Sequence, residues 1–170
     1  TKICFGIIAA FVFIAIFAPV LTQYTPYEQN LRYILANPSS EHLLGCDNIG
    51  RDTLTRLLFG ARVSLITGLL SSIWAAVVGT SIGLIAGYVG GWLNSFVMRF
   101  TDAMIAIPPI IFTMVLSTMV TGNLMGISLV IGVSIIPSYI RMVNGLVISL
   151  RENDYVTASN LIGQKQLVIM

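Results

Sequence analysis

The chain has 170 residues, of which 56% are hydrophobic and 9% charged, and its mean hydropathy is +0.89; a soluble domain carries roughly 25% charged residues. This is the composition of an integral membrane protein. A formal charge of +2, with no basic run and no low-complexity tract, excludes nucleic acid as a partner.

Ile3–Leu21 is a 19-residue uncharged run behind Lys2, long enough to cross a hydrocarbon core of about 30 Å as a helix. A secretory signal is the competing reading. The run exceeds a signal's apolar core, however, and Phe11, Phe13 and Phe17 leave no small-x-small cleavage site, so a first span over 3–21 is expected. Cys4 and Cys46 would then lie a membrane thickness apart, which argues against a disulfide.

Residues 22–62 form the main polar region, with Pro26, Asn37-Pro38 and Ser39-Ser40 as turn signals. The region is too short and too poor in apolar residues for a domain of its own. Asp52 can cap a short interfacial helix from Thr53 to Gly60, with Arg56 placed four residues on to face it.

This region also carries a specific likeness. His42-Leu43-Leu44-Gly45-Cys46-Asp47-Asn48-Ile49-Gly50-Arg51-Asp52, then Arg56, then Gly60-Ala61-Arg62-Val63-Ser64-Leu65 resembles the HPLGTDxxGRDxxSRxxxGARxSL block of permeases from dipeptide, oligopeptide and nickel ABC importers. Leu43 stands for the block's Pro, Cys46 for its Thr and Thr55 for its Ser. The residues that carry the signature are His42, Gly45, Asp47, Gly50, Arg51, Asp52, Arg56 and Arg62.

Val63–Met98 is uncharged for 36 residues, about 54 Å as one helix and nearly twice the membrane core. It therefore reads as a span over 64–87 followed by a turn at Tyr88-Val89-Gly90-Gly91-Trp92, where Tyr88 and Trp92 suit the interface. Within the span Ser71, Ala75, Gly79, Gly83 and Gly87 recur every four residues and lay a small-residue ridge along one face. A helix is expected to pack on Gly79, Gly83 and Gly87.

Arg99 and Asp102, three apart, can meet on one helical face near the membrane boundary. Ala103–Ile140 is uncharged for 38 residues and is interrupted at Thr121-Gly122-Asn123, which gives spans over 102–120 and 124–149. Pro108-Pro109 and Pro137 can kink them, either to shape a pathway or simply for packing. Arg141 follows 17 uncharged residues and can snorkel to the far interface or serve a pathway or partner.

The polar stretch Leu150–Gln164 follows. Asn153 or Asp154 can cap a short helix that Gly163 ends, and Tyr155 offers a rigid anchor for a soluble partner. Asp154, Tyr155, Thr157, Ala158, Ser159 and Gly163 resemble the cytoplasmic EAA loop of ABC importer permeases, with Ala158 and Gly163 on its strict positions and Thr157 where its Glu is expected. The chain starts at Thr1 and stops as a new apolar run, Leu167–Met170, begins; it reads as a C-terminally truncated fragment.

His42, the single histidine, has Glu41, Cys46 and Asp47 nearby but no second His, which is weak spacing for a metal. No Gly-Lys-Ser/Thr phosphate loop is present, and no nucleophile with a base lies in a span. No cofactor, metal or catalytic residue is expected, and the chain is not read as an enzyme.

The resemblance, from about His42 to Gly163, implies an all-α polytopic transmembrane helical bundle of the type I ABC importer permease kind, with four of about six spans present in one permease domain. It implies a multi-pass cell-membrane subunit that forms part of a pathway for peptides or nickel. A second permease, two cytoplasmic ATPase subunits and an extracytoplasmic substrate-binding protein would be its partners, with the lipid bilayer around it. Positive residues are nearly balanced across the membrane; the resemblance places 22–62 outside and the loop 150–165 in the cytoplasm, as the ATPase-coupling loop. A passive channel or secondary carrier is the alternative, disfavoured by the scarcity of ionisable residues in the spans.

Overall fold

Apolar runs offer the backbone no polar side chains to pair with, so in the computed structural model they close their own hydrogen bonds as helices. The structure describes residues 2–120, 122–151, 153 and 156. Along them run α1 (Lys2–Leu21), a 3₁₀ turn (Leu31–Tyr33), α2 (Thr53–Val89), α3 (Gly91–Ile105), α4 (Pro109–Ser117) and α5 (Leu124–Arg151). No strand occurs among the described residues, where Cys46 and Asp52 form an isolated bridge. The chain divides into two compact units, residues 1–68 and 69–170.

In the first unit α1 is 20 residues long, about 30 Å at 1.5 Å per residue. Nearly all of its large apolar side chains are exposed while Ala15 and Ala18 are buried, as suits a helix whose outer surface meets lipid. α1, α2 and α5 are each long and apolar enough to cross a membrane, and α3 with α4 makes a fourth crossing if that bent pair counts as one.

α2 differs from the expected short helix, break and span. It runs unbroken for 37 residues, because no proline or capping side chain interrupts it between Thr53 and Val89 and a helical Gly60 costs only about 1 kcal/mol. It stops at Gly90, and consecutive positive φ angles at Gly90 (70°) and Gly91 (56°) turn the chain into α3.

Within the second unit α5 lies against the glycines of α2. A Cβ added at Gly79 would come within 2.5 Å of the Tyr139 Cβ, one at Gly83 within 2.7 Å of the Ile140 carbonyl oxygen, and one at Gly87 within 3.0 Å of Val147. The fit is reciprocal: Gly132 of α5 leaves 2.9 Å to Trp74 of α2. Without a hydrophobic drive between helices in lipid, such close approach supplies the attraction.

α3 and α4 meet at 84°. Pro108 and Pro109 lack N–H donors, and a residue before proline avoids the helical region. Pro108 is accordingly extended (ψ 127°), and Pro109 opens α4. The helices thus depart from the limits 102–120: α3 begins at Gly91 and carries Arg99 and Asp102 inside it, because the Asp102 charge is paired across to α5 and does not mark a helix end. Pro137 sits inside α5 without ending it.

Candidate functional site

The loop 22–52 is shaped by two glycines. Gly45 (φ 69°) and Gly50 (φ 74°) adopt the left-handed conformation, and a side chain on either would strike backbone, the Ala36 carbonyl at Gly45 and the Asn30 carbonyl at Gly50. Backbone bonds fasten the same places: the Asn30 N–H donates to the Gly50 carbonyl (3.1 Å), Cys46 to Ala36 (3.1 Å) and Leu35 to Asp47 (3.1 Å).

Asp47 gathers donors. Its carboxylate accepts from the Ile49 N–H (3.0 Å), the Arg51 N–H (2.9 Å), Arg51 Nε (2.8 Å) and Arg56 Nη1 (2.5 Å). Partial burial opposes its ionisation, but the backbone donors of Arg51 and Ile49 and the Arg51 guanidinium outweigh that and hold the carboxyl far below the usual range. Asp52 is also lowered: burial works against it, while hydrogen bonds from Thr55 and His42 prevail.

One oxygen of Asp52 accepts from the Thr55 N–H at 2.7 Å and caps α2; the other lies 3.0 Å from His42 Nδ1. Both oxygens are thereby committed, so Arg56 turns to Asp47 and not to the Asp52 four residues before it. His42 is buried between the rings of Tyr24 and Tyr33, each with its centroid 4.9 Å away. Beside them a cavity of about 330 Å³ is lined by Leu21, Tyr24, Glu41, Asp52 and Thr55, among others.

Seven signature residues, His42, Gly45, Asp47, Gly50, Arg51, Asp52 and Arg56, therefore form one locked loop. Arg62, exposed on α2, shares none of these contacts. Cys4 and Cys46 are both free thiols, and burial, then the Asp52 and Asp47 charges, push the Cys46 thiol up. Among the described residues no group of three His, Cys, Asp or Glu side chains could hold a metal ion.

The second unit contains a polar seam that the sequence reading did not assemble. Asp102 of α3 is paired with Arg141 of α5, and Arg99 takes no part. Asn144 Nδ2 donates to Asn94 Oδ1 (2.6 Å), and the hydroxyls of Thr113 on α4 and Ser134 on α5 lie 2.8 Å apart. At the end of α5, Arg151 Nη1 donates to the Tyr88 carbonyl of α2 (3.1 Å). Ser134, Arg141, Asn144 and Arg151 follow one another at intervals of seven, three and seven, close to one face of a helix; that spacing was the available signal. Asp154, Tyr155, Thr157, Ala158, Ser159 and Gly163 lie outside the described residues.

The family described as binding-protein-dependent transport system inner membrane component matches residues 79–170, which takes in the polar seam and more than half of the chain. The chain belongs to that family. The N-terminal transmembrane domain of oligopeptide transport permease C matches residues 2–38.

Among curated relatives, the dipeptide transport system permease protein DppC of Alkalihalophilus pseudofirmus is 39% identical over 159 residues, 94% of this chain and 52% of that protein. The protein of the same description from Haemophilus influenzae is 37% identical over 163 residues, 92% of this chain and 55% of its own length. The di/tripeptide transport system permease protein DppC of Pseudomonas aeruginosa is 35% identical over 165 residues, 94% and 54%. The chain spans about half the length of the curated relatives it matches. It is a transport-system inner membrane component with the all-helical architecture of a type I ABC permease bundle.

Proposed function

We propose that this chain is the N-terminal part of a permease subunit in an ATP-driven peptide importer. Relatives described as dipeptide and di/tripeptide permeases favour peptides over nickel, the other cargo class of such importers. The proposed arrangement puts 22–62 outside and 150–165 in the cytoplasm, against two ATPase subunits, with a second permease and a substrate-binding protein completing the transporter.

The Arg151–Tyr88 bond is the observation that carries the mechanism. Closure of the ATPases on ATP pushes the segment after Arg151. α5 is rigid, and its Arg151 grips the end of α2 where the Gly90-Gly91 turn begins, so one push reorients α5, α2 and α3 together. A population shift between two packings then changes which side of the path is open. The chain contributes motion and a route, with ATP hydrolysis left to its partners.

Affinity purification of the tagged full-length subunit from mild detergent tests this. ATPase subunits are expected to co-purify and to be released by Tyr155→Asp or Gly163→Trp. Their absence with the intact subunit would return the channel or secondary-carrier reading to the front.

A further inference from the structure

The Asp102–Arg141 pair stands at a depth that its neighbours fix. Arg151 bonded to Tyr88 O puts the end of α5, the end of α2 and the start of α3 at one level, and a charged residue there belongs at the interface. Arg141 lies ten residues before Arg151, and Asp102 eleven after Gly91; at 1.5 Å per residue both are about 15 Å inside. That is half of a core of about 30 Å.

At this depth the pair is not hidden within the chain. The Arg141 side chain is 49% exposed and that of Asp102 59%. One turn beyond Asp102, the break at Ala106–Pro108 presents exposed, non-helical backbone. Charges and open backbone are not left against lipid; each is tolerated where it is covered by protein or lines water. Two independent features thus mark one wet surface, and it has room: Ala106 lies one turn from Asp102, Ser138 and Gly145 one turn either side of Arg141, all exposed, and nothing approaches within 4 Å of a Cβ placed on Gly145.

The geometry points to a binding subsite for the charged ends of a short zwitterionic peptide, with Arg141 receiving the terminal carboxylate and Asp102 the terminal ammonium. The inference rests on the peptide-permease reading above. A guanidinium has five N–H donors and a carboxylate about four acceptor sites, so their mutual contact leaves both able to bond further. A paired cation and anion add no net charge to the path, and each end of the peptide meets a partner already partly neutralised. Passage requires that binding be weak enough to leave, which a lone buried charge would not allow.

The test uses the full-length subunit assembled with its permease partner, ATPases and binding protein in proteoliposomes, and compares a dipeptide with its C-amidated and N-acetylated forms. Each result is read as variant over parent, so that the binding protein's own preference cancels. Arg141→Gln is expected to lower kcat/KM for the free dipeptide about tenfold or more, the loss of a charge-assisted hydrogen bond, while the C-amide is little changed. Asp102→Asn is expected to spare the N-acetyl form in the same way.

Equal losses for all three peptides, or no loss, would overturn the subsite. If neither variant assembles, the pair holds helices or a partner subunit together and the subsite is likewise overturned. A parent transporter that moves no peptide would instead count against the importer reading itself.

Discussion

The loop 22–52 and the helices of the second unit both contain Asp–Arg pairs, and the two uses differ. In the loop, Asp47 takes two backbone N–H donors and two guanidinium donors, and Asp52 divides its oxygens between the α2 cap and His42. Their charges are consumed locally. Asp102 and Arg141 are linked across 39 residues and remain about half exposed, inside helices that otherwise pack through glycine. A charge satisfied by its own loop builds structure; a charge left open inside a span is available to something else.

The largest effect on that contrast should come from Asp52→Ala, which removes a cap and leaves His42 without its partner. A loss of about 3 kcal/mol is expected. Cys46 is the reporter: in a Cys4→Ser background its buried thiol should react with maleimide many times faster in the variant. Unchanged reactivity would show that the loop does not depend on this lock.

Gly83→Leu comes next. Its side chain has no space against Ile140 and Val143, and overpacking of this kind costs about 1–3 kcal/mol. Thermal unfolding of the full-length subunit in detergent should register the drop, whereas Gly60→Leu, at a glycine with open surroundings, should not.

The ridge behind this prediction was legible in advance from Gly79, Gly83 and Gly87 recurring at helical spacing, as was the kink at Pro108-Pro109. The seam was not, because Asp102 and Arg141 lie 39 residues apart and no local pattern joins them; Asp102 therefore passed for a boundary. The unbroken α2 was missed because the charges at Arg56 and Arg62 suggested an interface, although nothing in the backbone between them stops a helix. In the loop, the signature residues were recognisable by resemblance, but which aspartate takes which arginine depends on the turns at Gly45 and Gly50.

A smaller, graded effect follows from pH. Asp47 and Asp52 are both lowered in the fold, so their contribution is complete above the unfolded carboxylate value of about 3.9 and is lost as pH falls through the folded values beneath it. Amide exchange over 45–55, corrected for its intrinsic rate, should stay protected from pH 7 to about 4 and loosen only below. Loosening already between pH 6 and 5 would contradict the assignment of these two carboxylates. The smallest effect is reserved for Arg62→Ala, within about 0.5 kcal/mol in thermal unfolding, since Arg62 touches none of the locked loop.

The central claim is that α5, through Arg151, transmits an ATPase's push to α2 and α3. The direct measurement is accumulation of a labelled dipeptide in proteoliposomes that carry the complete transporter, with ATP supplied to the ATPase side, for the parent and for Arg151→Ala. The account predicts ATP-dependent accumulation in the parent, and in the variant ATP hydrolysis that continues while accumulation falls. Accumulation that proceeds equally without ATP, or an Arg151→Ala transporter that couples as tightly as the parent, would contradict it.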